Sequence, residues 1–187
     1  MSTLEVNNIN PQSGTTITIG GSGDTVSLGS GATQSGFGGV MTPYFQAKLS
    51  AGQTFLNNTS TKIQFDTENY DSGGCYDNST NYRFTPTTAG QYFIYVSIGV
   101  NALAAANLQN MYVFLKKNGS DVGIAHHNYN SNDTFFGTCN LSMIVTFNGS
   151  SDYVEAFVQG SDASGSARVE SGDYSIFGGY KIIEWAY

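Results

Sequence analysis

The sequence predicts an all-β protein, a short N-terminal β-arm followed by a two-sheet antiparallel sandwich. Three observations carry this. Of 187 residues, 23 are glycine, 12 tyrosine and 12 phenylalanine, while Lys and Arg together number 7. Helix-forming runs are scarce and turn residues recur, which suits short strands joined by many turns. Gln91 to Val100 is β-branched and aromatic with no charge, a strand pattern. The opening stretch to about residue 40 differs in composition from the rest, and the length suffices for one core plus an arm.

In the arm, Val6 to Ile9, Thr15 to Ile19 and Thr25 to Leu28 are β-capable pieces separated by Gly/Ser-rich turns. Three such pieces cannot bury a core by themselves. The alternation of Ile17, Ile19, Val26 and Leu28 asks for partners, either the same pieces in sister chains or a docking surface. A disordered Gly/Ser linker is the competing reading. Gln34 to Thr42 reads as a hinge, which divides the chain into residues 1–42, arm and hinge, and residues 43–187, a head.

The head opens with alternating Phe45, Ala47 and Leu49, then a short strand from Lys62 to Phe65. Thr85 to Gly90 is a turn, since Pro86 fixes φ and Gly90 tolerates positive φ. In the strand that follows, Tyr92, Ile94, Val96, Ile98 and Val100 share one face, while Phe93 and Tyr95 make the other face apolar too. A second chain over the outer face explains this, as does a central strand under a loop. Leu108 to Lys117 is a strand in which Met111, Val113 and Leu115 oppose Tyr112 and Phe114. Asn118-Gly119 is a hairpin signal, and Asp121 to Ala125 returns. Cys139 to Phe147 and Tyr153 to Val158 make another pair, and the chain closes on a strand carrying Phe177 and Tyr180. About eight to ten strands in two sheets are expected, a jelly roll.

Phe65, Asp71, Tyr76, Phe84, Gly90 and Tyr92 fall at a spacing that resembles the signature of the globular head of the first complement component, a trimeric jelly roll related to the tumour necrosis factor family. One extra residue separates Tyr76 from Phe84, and Ile94 and Val96 replace aromatics. The resemblance covers roughly Pro43 to Tyr187, including Phe177, Gly178 or Gly179, and Tyr180 near the end. It implies a homotrimer whose interface and core draw on Tyr92, Phe93, Ile94, Tyr95, Val96, Tyr112, Phe114, Phe177 and Tyr180. The arm, with Ser-Gly-x-Thr-Ile-x-Ile-Gly and Ser-Gly-Asp-Thr-Val, is similar to leaders of bacteriophage tail-fibre and other virion proteins, especially of marine and cyanobacterial phages. That implies attachment to the particle through Val6, Ile9, Ile17, Ile19, Val26 and Leu28.

Chemistry is sparse. Only 11% of residues are charged and the net charge is −7, which argues against nucleic acid as the main partner. No apolar run reaches membrane-spanning length. Met1 to Val6 lacks the basic and apolar runs of a secretory signal, so none is expected, and the sequons at Asn78, Asn118, Asn132, Asn140 and Asn148 are not read as glycosylation. Cys75 and Cys139 either pair across the sandwich or stay reduced, the state favoured in a cytosolic chain. No nucleophile elbow, P-loop, dinucleotide motif or HExxH is present, so no enzyme and no cofactor is expected. His126 and His127, as neighbours on a strand, would point apart; they are exposed loop residues or, one from each of three chains, ligands at a symmetry axis. Asp66 with Glu68, and Asp71 with Asp77, are solvated acids, the latter pair a candidate Ca²⁺ site.

Two loops rich in Tyr, Ser, Asn and Gly remain, 126–133 and 161–166. Such residues supply adaptable hydrogen bonds and aromatic contact at low entropy cost, or simply solubilise turns. His126, His127, Tyr129, Asn130 and Asp133 are the receptor-facing candidates. The expectation is a virion protein assembled in the host cytoplasm, a tail fibre or receptor-binding protein that meets a host-surface glycan or protein. A capsid decoration or head-fibre protein is the alternative.

Overall fold

Alternation of inward and outward side chains produces most of the ordered elements in the computed structural model, which describes residues 9–27, 29–32, 41–103, 106–129 and 132–183. Backbone contacts divide the chain into two units, Met1–Gly38 and Gly39–Tyr187. In the first, turns and extended segments appear but no strand among the described residues. Ile9, Ile17, Ile19 and Val26 are exposed there. Among the described residues the expected β-pieces over 15–19 and 25–27 therefore form no strand within one copy, because a strand needs a neighbour's N–H and C=O groups, and the piece over 6–9 lies outside them apart from Ile9. Val6, Leu28 and hinge residues 34–40 lie outside the described residues.

The second unit carries strands β1 (Tyr44–Lys48), β2 (Gln53–Leu56), β3 (Thr61–Lys62), β4 (Thr67–Asp71), β5 (Tyr76–Asp77), β6 (Arg83–Phe84) and β7 (Gly90–Asn101). They are followed by β8 (Leu108–Lys117), β9 (Ser120–Asn128), β10 (Phe136–Phe147), β11 (Val154–Asp162), β12 (Ser166–Val169), a 3₁₀ turn (Gly172–Tyr174) and β13 (Ile176–Lys181). The first sheet has the order β2-β12-β7-β13-β1-β4, with β10 on the other edge of β7. The second has the order β5-β6-β11-β8-β9, with β3 also on β11. All pairings are antiparallel.

Strand β8 has the bounds its alternation predicts, and the Asn118-Gly119 turn takes positive φ at both residues, 51° and 82°, as a two-residue hairpin requires. Other bounds differ. β9 continues to Asn128 and β11 to Asp162, because β8 offers backbone partners out to Asn110 and Leu108. His126 and His127 consequently sit in a strand, not in a loop. The strand expected over 62–65 shortens to Thr61–Lys62, although Ile63 and Phe65 are buried.

The signature aromatics are the packing between the sheets. Phe45 of β1 stacks on Phe84 of β6 at 4.3 Å and on Tyr76 of β5 at 5.0 Å, and meets Phe177 of β13 edge-on at 4.9 Å. Phe84, Tyr92 and Phe147 form a second set of edge contacts at 5.2 to 6.0 Å. Buried phenols find partners, Tyr76 Oη donating to Phe65 O at 3.0 Å and Tyr92 Oη to Thr88 O at 2.7 Å. Asp71 accepts the N–H groups of Cys75 and Tyr76, which fixes the turn that delivers the Tyr76 ring. The spacing therefore encodes a core. Replacing Phe45 by Ala should cost about 3–5 kcal/mol of unfolding free energy, read by urea denaturation; a loss under about 1 kcal/mol would contradict this placement.

Candidate functional site

The two outward faces of the sandwich differ in chemistry. On the first sheet, strand register puts Ile144, Phe93, Tyr180 and Tyr44 side by side across β10, β7, β13 and β1. The next row is Ser142, Tyr95, Gly178, Gln46 and Tyr70. Neither row contains a charge. Phe93 lies 5.5 Å from Tyr180 and 6.2 Å from Tyr95 between ring centroids. Gly178 leaves room for the Tyr95 hydroxyl, which a Cβ there would strike. That hydroxyl accepts from Gln46 Nε2 at 2.7 Å, and Gln46 Oε1 accepts from Asn69 Nδ2 at 2.9 Å. Ile144, Tyr44 and Tyr70 are 57%, 43% and 62% exposed, so the rows form an open aromatic face.

The second sheet covers its outward aromatics itself. Phe157, Phe114 and Ile124 align across β11, β8 and β9. Lys116 Nζ lies 4.8 Å and Lys62 Nζ 5.9 Å from the Phe157 ring centre, while Lys62 also pairs with the buried Glu155 at 2.5 Å. Long stems with solvated heads are an ordinary way to coat apolar surface. Tyr112 stacks on His126 at 3.9 Å with the planes 2° apart.

The residues expected at the interface and core fall in three places. Tyr92, Ile94, Val96 and Phe177 are interior. Phe93, Tyr95 and Tyr180 are half-buried on the first sheet's outer face, and Tyr112 and Phe114 on the second sheet's. Alternation tells which residues share a face but not which sheet a strand joins, so the sequence merged two surfaces. It also missed Tyr44, Gln46, Tyr70 and Ile144. The inward alternation of Phe45, Ala47 and Leu49 implied Tyr44 and Gln46; the polar run Thr67–Asp71 gave no such signal for Tyr70.

The two loops rich in Tyr, Ser, Asn and Gly meet at one end of the sandwich. Tyr129 N donates to Gln109 O at 2.8 Å, Ala163 N to Asn107 O at 3.0 Å, and Ser161 Oγ to Gln109 Oε1 at 2.9 Å. Asp133 is exposed beside them, and Asn130 lies outside the described residues. Tyr129 is drawn inward against the core and overlies Gly137. His126 and His127 take opposite sides of β9, the latter's Nδ1 lying 2.8 Å from Thr138 O. Among the described residues no group of three or more His, Cys, Asp or Glu could hold a metal ion, and Cys75 and Cys139 are buried free thiols.

The acids act as turn staples. Asp77 accepts from Thr80 N at 2.8 Å, Ser79 N at 3.0 Å and Asn81 Nδ2 at 2.7 Å, and the Thr80 N–H, with those of its neighbours, holds its carboxyl far below the usual range. For Asp66, burial opposes the charge but donation from Ser50 N and Oγ outweighs it, and the carboxyl is lowered.

Two antiparallel sheets in this order, with the first and last head strands adjacent, define a jelly roll. Residues 44–182 match the C1q domain, and the chain belongs to that family. Among solved structures it is similar to the globular domain of zebrafish complement 1qA protein, at 14% identity and TM-score 0.53, over 75% of this chain and 97% of that one. It is also similar to Eiger TNF from S. frugiperda, at 10% identity and TM-score 0.51, over 77% and 93%. A comparison with curated proteins gives no match. The resemblance of the head to the C1q family, read from its aromatic spacing, is borne out, and the tumour necrosis factor protein shares its fold.

Because the Asp77 carboxyl is lowered in the folded state, its contribution is complete above the unfolded carboxylate value near 4 and is lost as pH falls through the folded value. Unfolding free energy should drop on acidification below about pH 4, with a smaller drop in Asp77→Asn. Parallel pH profiles for the two proteins would remove Asp77 from that role.

Proposed function

We propose that the protein is a bacteriophage virion structural protein, a tail fibre or receptor-binding protein that works by binding. Its head, residues 43–187, assembles as a homotrimer and recognises the host surface, and its N-terminal arm anchors it to other virion proteins. The observation that carries the trimer is the charge-free aromatic face of Phe93, Tyr95, Tyr180 and Tyr44, set against a second face whose Phe157 and Phe114 rings lie under lysines. An exposed apolar patch of this kind marks an interaction site. Family membership supports the same reading, and the phage setting rests on the wording of the leader. The loop cluster around Asn107 and Gln109 is the receptor-facing end, where a host glycan or protein is held weakly per site and many copies supply avidity.

Phe93→Asp places a charge on the proposed interface without entering the core, and should give a folded monomer in sedimentation. A trimer of unchanged mass would refute the interface. Tyr92→Asp, by contrast, buries a charge in the core and should abolish folding. Deletion of residues 1–33 should leave a soluble trimeric head that no longer joins particles. Labelled protein on intact particles decides position: regular spacing over the shell instead of the tail would replace the fibre reading with capsid decoration.

A further inference from the structure

The first unit contains a direct repeat. Ser13-Gly14-Thr15-Thr16-Ile17-Thr18-Ile19-Gly20 and Ser22-Gly23-Asp24-Thr25-Val26-Ser27-Leu28-Gly29, nine residues apart, match in glycines, hydroxyl residues and aliphatics at every position except the third, where Thr15 stands against Asp24. The backbone repeats with them at the first glycine of each unit, Gly14 and Gly23 both taking positive φ, 76° and 90°, but not at the last, where Gly20 takes 82° and Gly29 has no positive φ. Each aliphatic piece runs into a turn, Asp24 N donating to Gly21 O at 3.1 Å and Ala32 N to Gly29 O at 3.0 Å. Asp24, the repeat's one charged residue, also caps its own turn, Oδ2 accepting from Gly21 N at 2.6 Å.

We propose that residues 13–29 form a two-unit β-repeat that completes itself only by pairing with the same segment in sister copies, as an interchain stalk. This rests on the homotrimer reading. A hairpin joins pieces of opposite direction, and these pieces do not pair within one chain; a direct repeat instead matches pieces of the same direction, which stack when one copy's first unit lies beside another's second. Ile17, Ile19 and Val26 are 40%, 58% and 65% exposed on alternate positions, with Thr16, Thr18 and Thr25 on the other side, the two-faced pattern that stacking buries. Two repeats fall short of the roughly three that a stacked array needs for stability. Three chains supply enough. The occupant is a second copy because the segment is its own complement: matched length, matched aliphatics, hydroxyls that cross-bond, and a single charged residue, Asp24, already engaged in its own turn.

The test uses the full chain carrying Thr16→Cys and Thr25→Cys, treated with a short bifunctional maleimide; Cys75 and Cys139, being buried, serve as the unreactive background in the parent protein. The expected result is a covalent trimer on a denaturing gel, formed by links from position 16 of one copy to position 25 of the next. Adding Ile17→Asp and Val26→Asp should abolish that band while sedimentation mass stays trimeric. A trimer in sedimentation that yields only single-chain products overturns the stalk and leaves the head reading intact. Links to a different virion protein in particles, in place of links between copies, overturn it in favour of a socket. A monomer in sedimentation removes the homotrimer and the stalk with it.

Discussion

The contact on which the head depends is the aromatic bridge between its sheets. Phe45 and Phe177 come from the first sheet, Tyr76 and Phe84 from the second, with rings 4.3 to 6.1 Å apart. Offset and edge-on ring pairs give both area and direction, so the cluster sets how the sheets stack as well as how strongly. Three devices serve it: Asp71 stapling the turn before Tyr76, Phe65 lending a carbonyl to the Tyr76 hydroxyl, and Thr88 doing the same for Tyr92. A family signature often invites a search for a binding site. Here every aromatic in it is consumed by packing, and the surface is left free to carry function.

That division explains why the fold was more legible than the site. Buried residues obey a period of two that a sequence displays directly: Tyr92, Ile94, Val96, Ile98 and Val100 were assigned to one face, and all are interior. Sheet membership is a long-range property. Nothing local distinguishes Phe93 from Phe114; each is an aromatic at an outward position, yet one lies on an open face and the other beneath Lys116. Likewise Tyr70 reaches the aromatic face through β4 pairing with β1, a contact between residues far apart in the chain. Strand ends were misjudged for the same reason, since β9 and β11 extend only because β8 is long.

The acids illustrate a different limit. Asp71 and Asp77, two carboxylates flanking a glycine-rich turn, suggest a cation site in the sequence. Each instead satisfies backbone N–H groups of its own turn. Turn-rich chains need such acceptors in number, since a loop's amides have no strand partner. Acid spacing in a chain of this composition is therefore better evidence for turns than for metals.

The charge economy of the molecule points in one direction. With seven Lys and Arg in all, basic residues are too few to coat every apolar surface, and they are placed unevenly. Lys62 and Lys116 lie over Phe157, and Lys117 lies 5.7 Å from the Phe147 ring, whereas among the described residues no lysine or arginine lies over the rings of Phe93, Tyr180 or Tyr44. In the first unit Ile17, Ile19 and Val26 stand exposed in the same uncoated way. A chain that had to remain solitary would gain solubility from a single lysine in either place. Bare apolar rows in two independent units, in a molecule whose second sheet keeps Phe114 and Phe157 under lysines, are what self-association would preserve, because a buried unpaired charge in an interface costs more than the apolar contact it displaces.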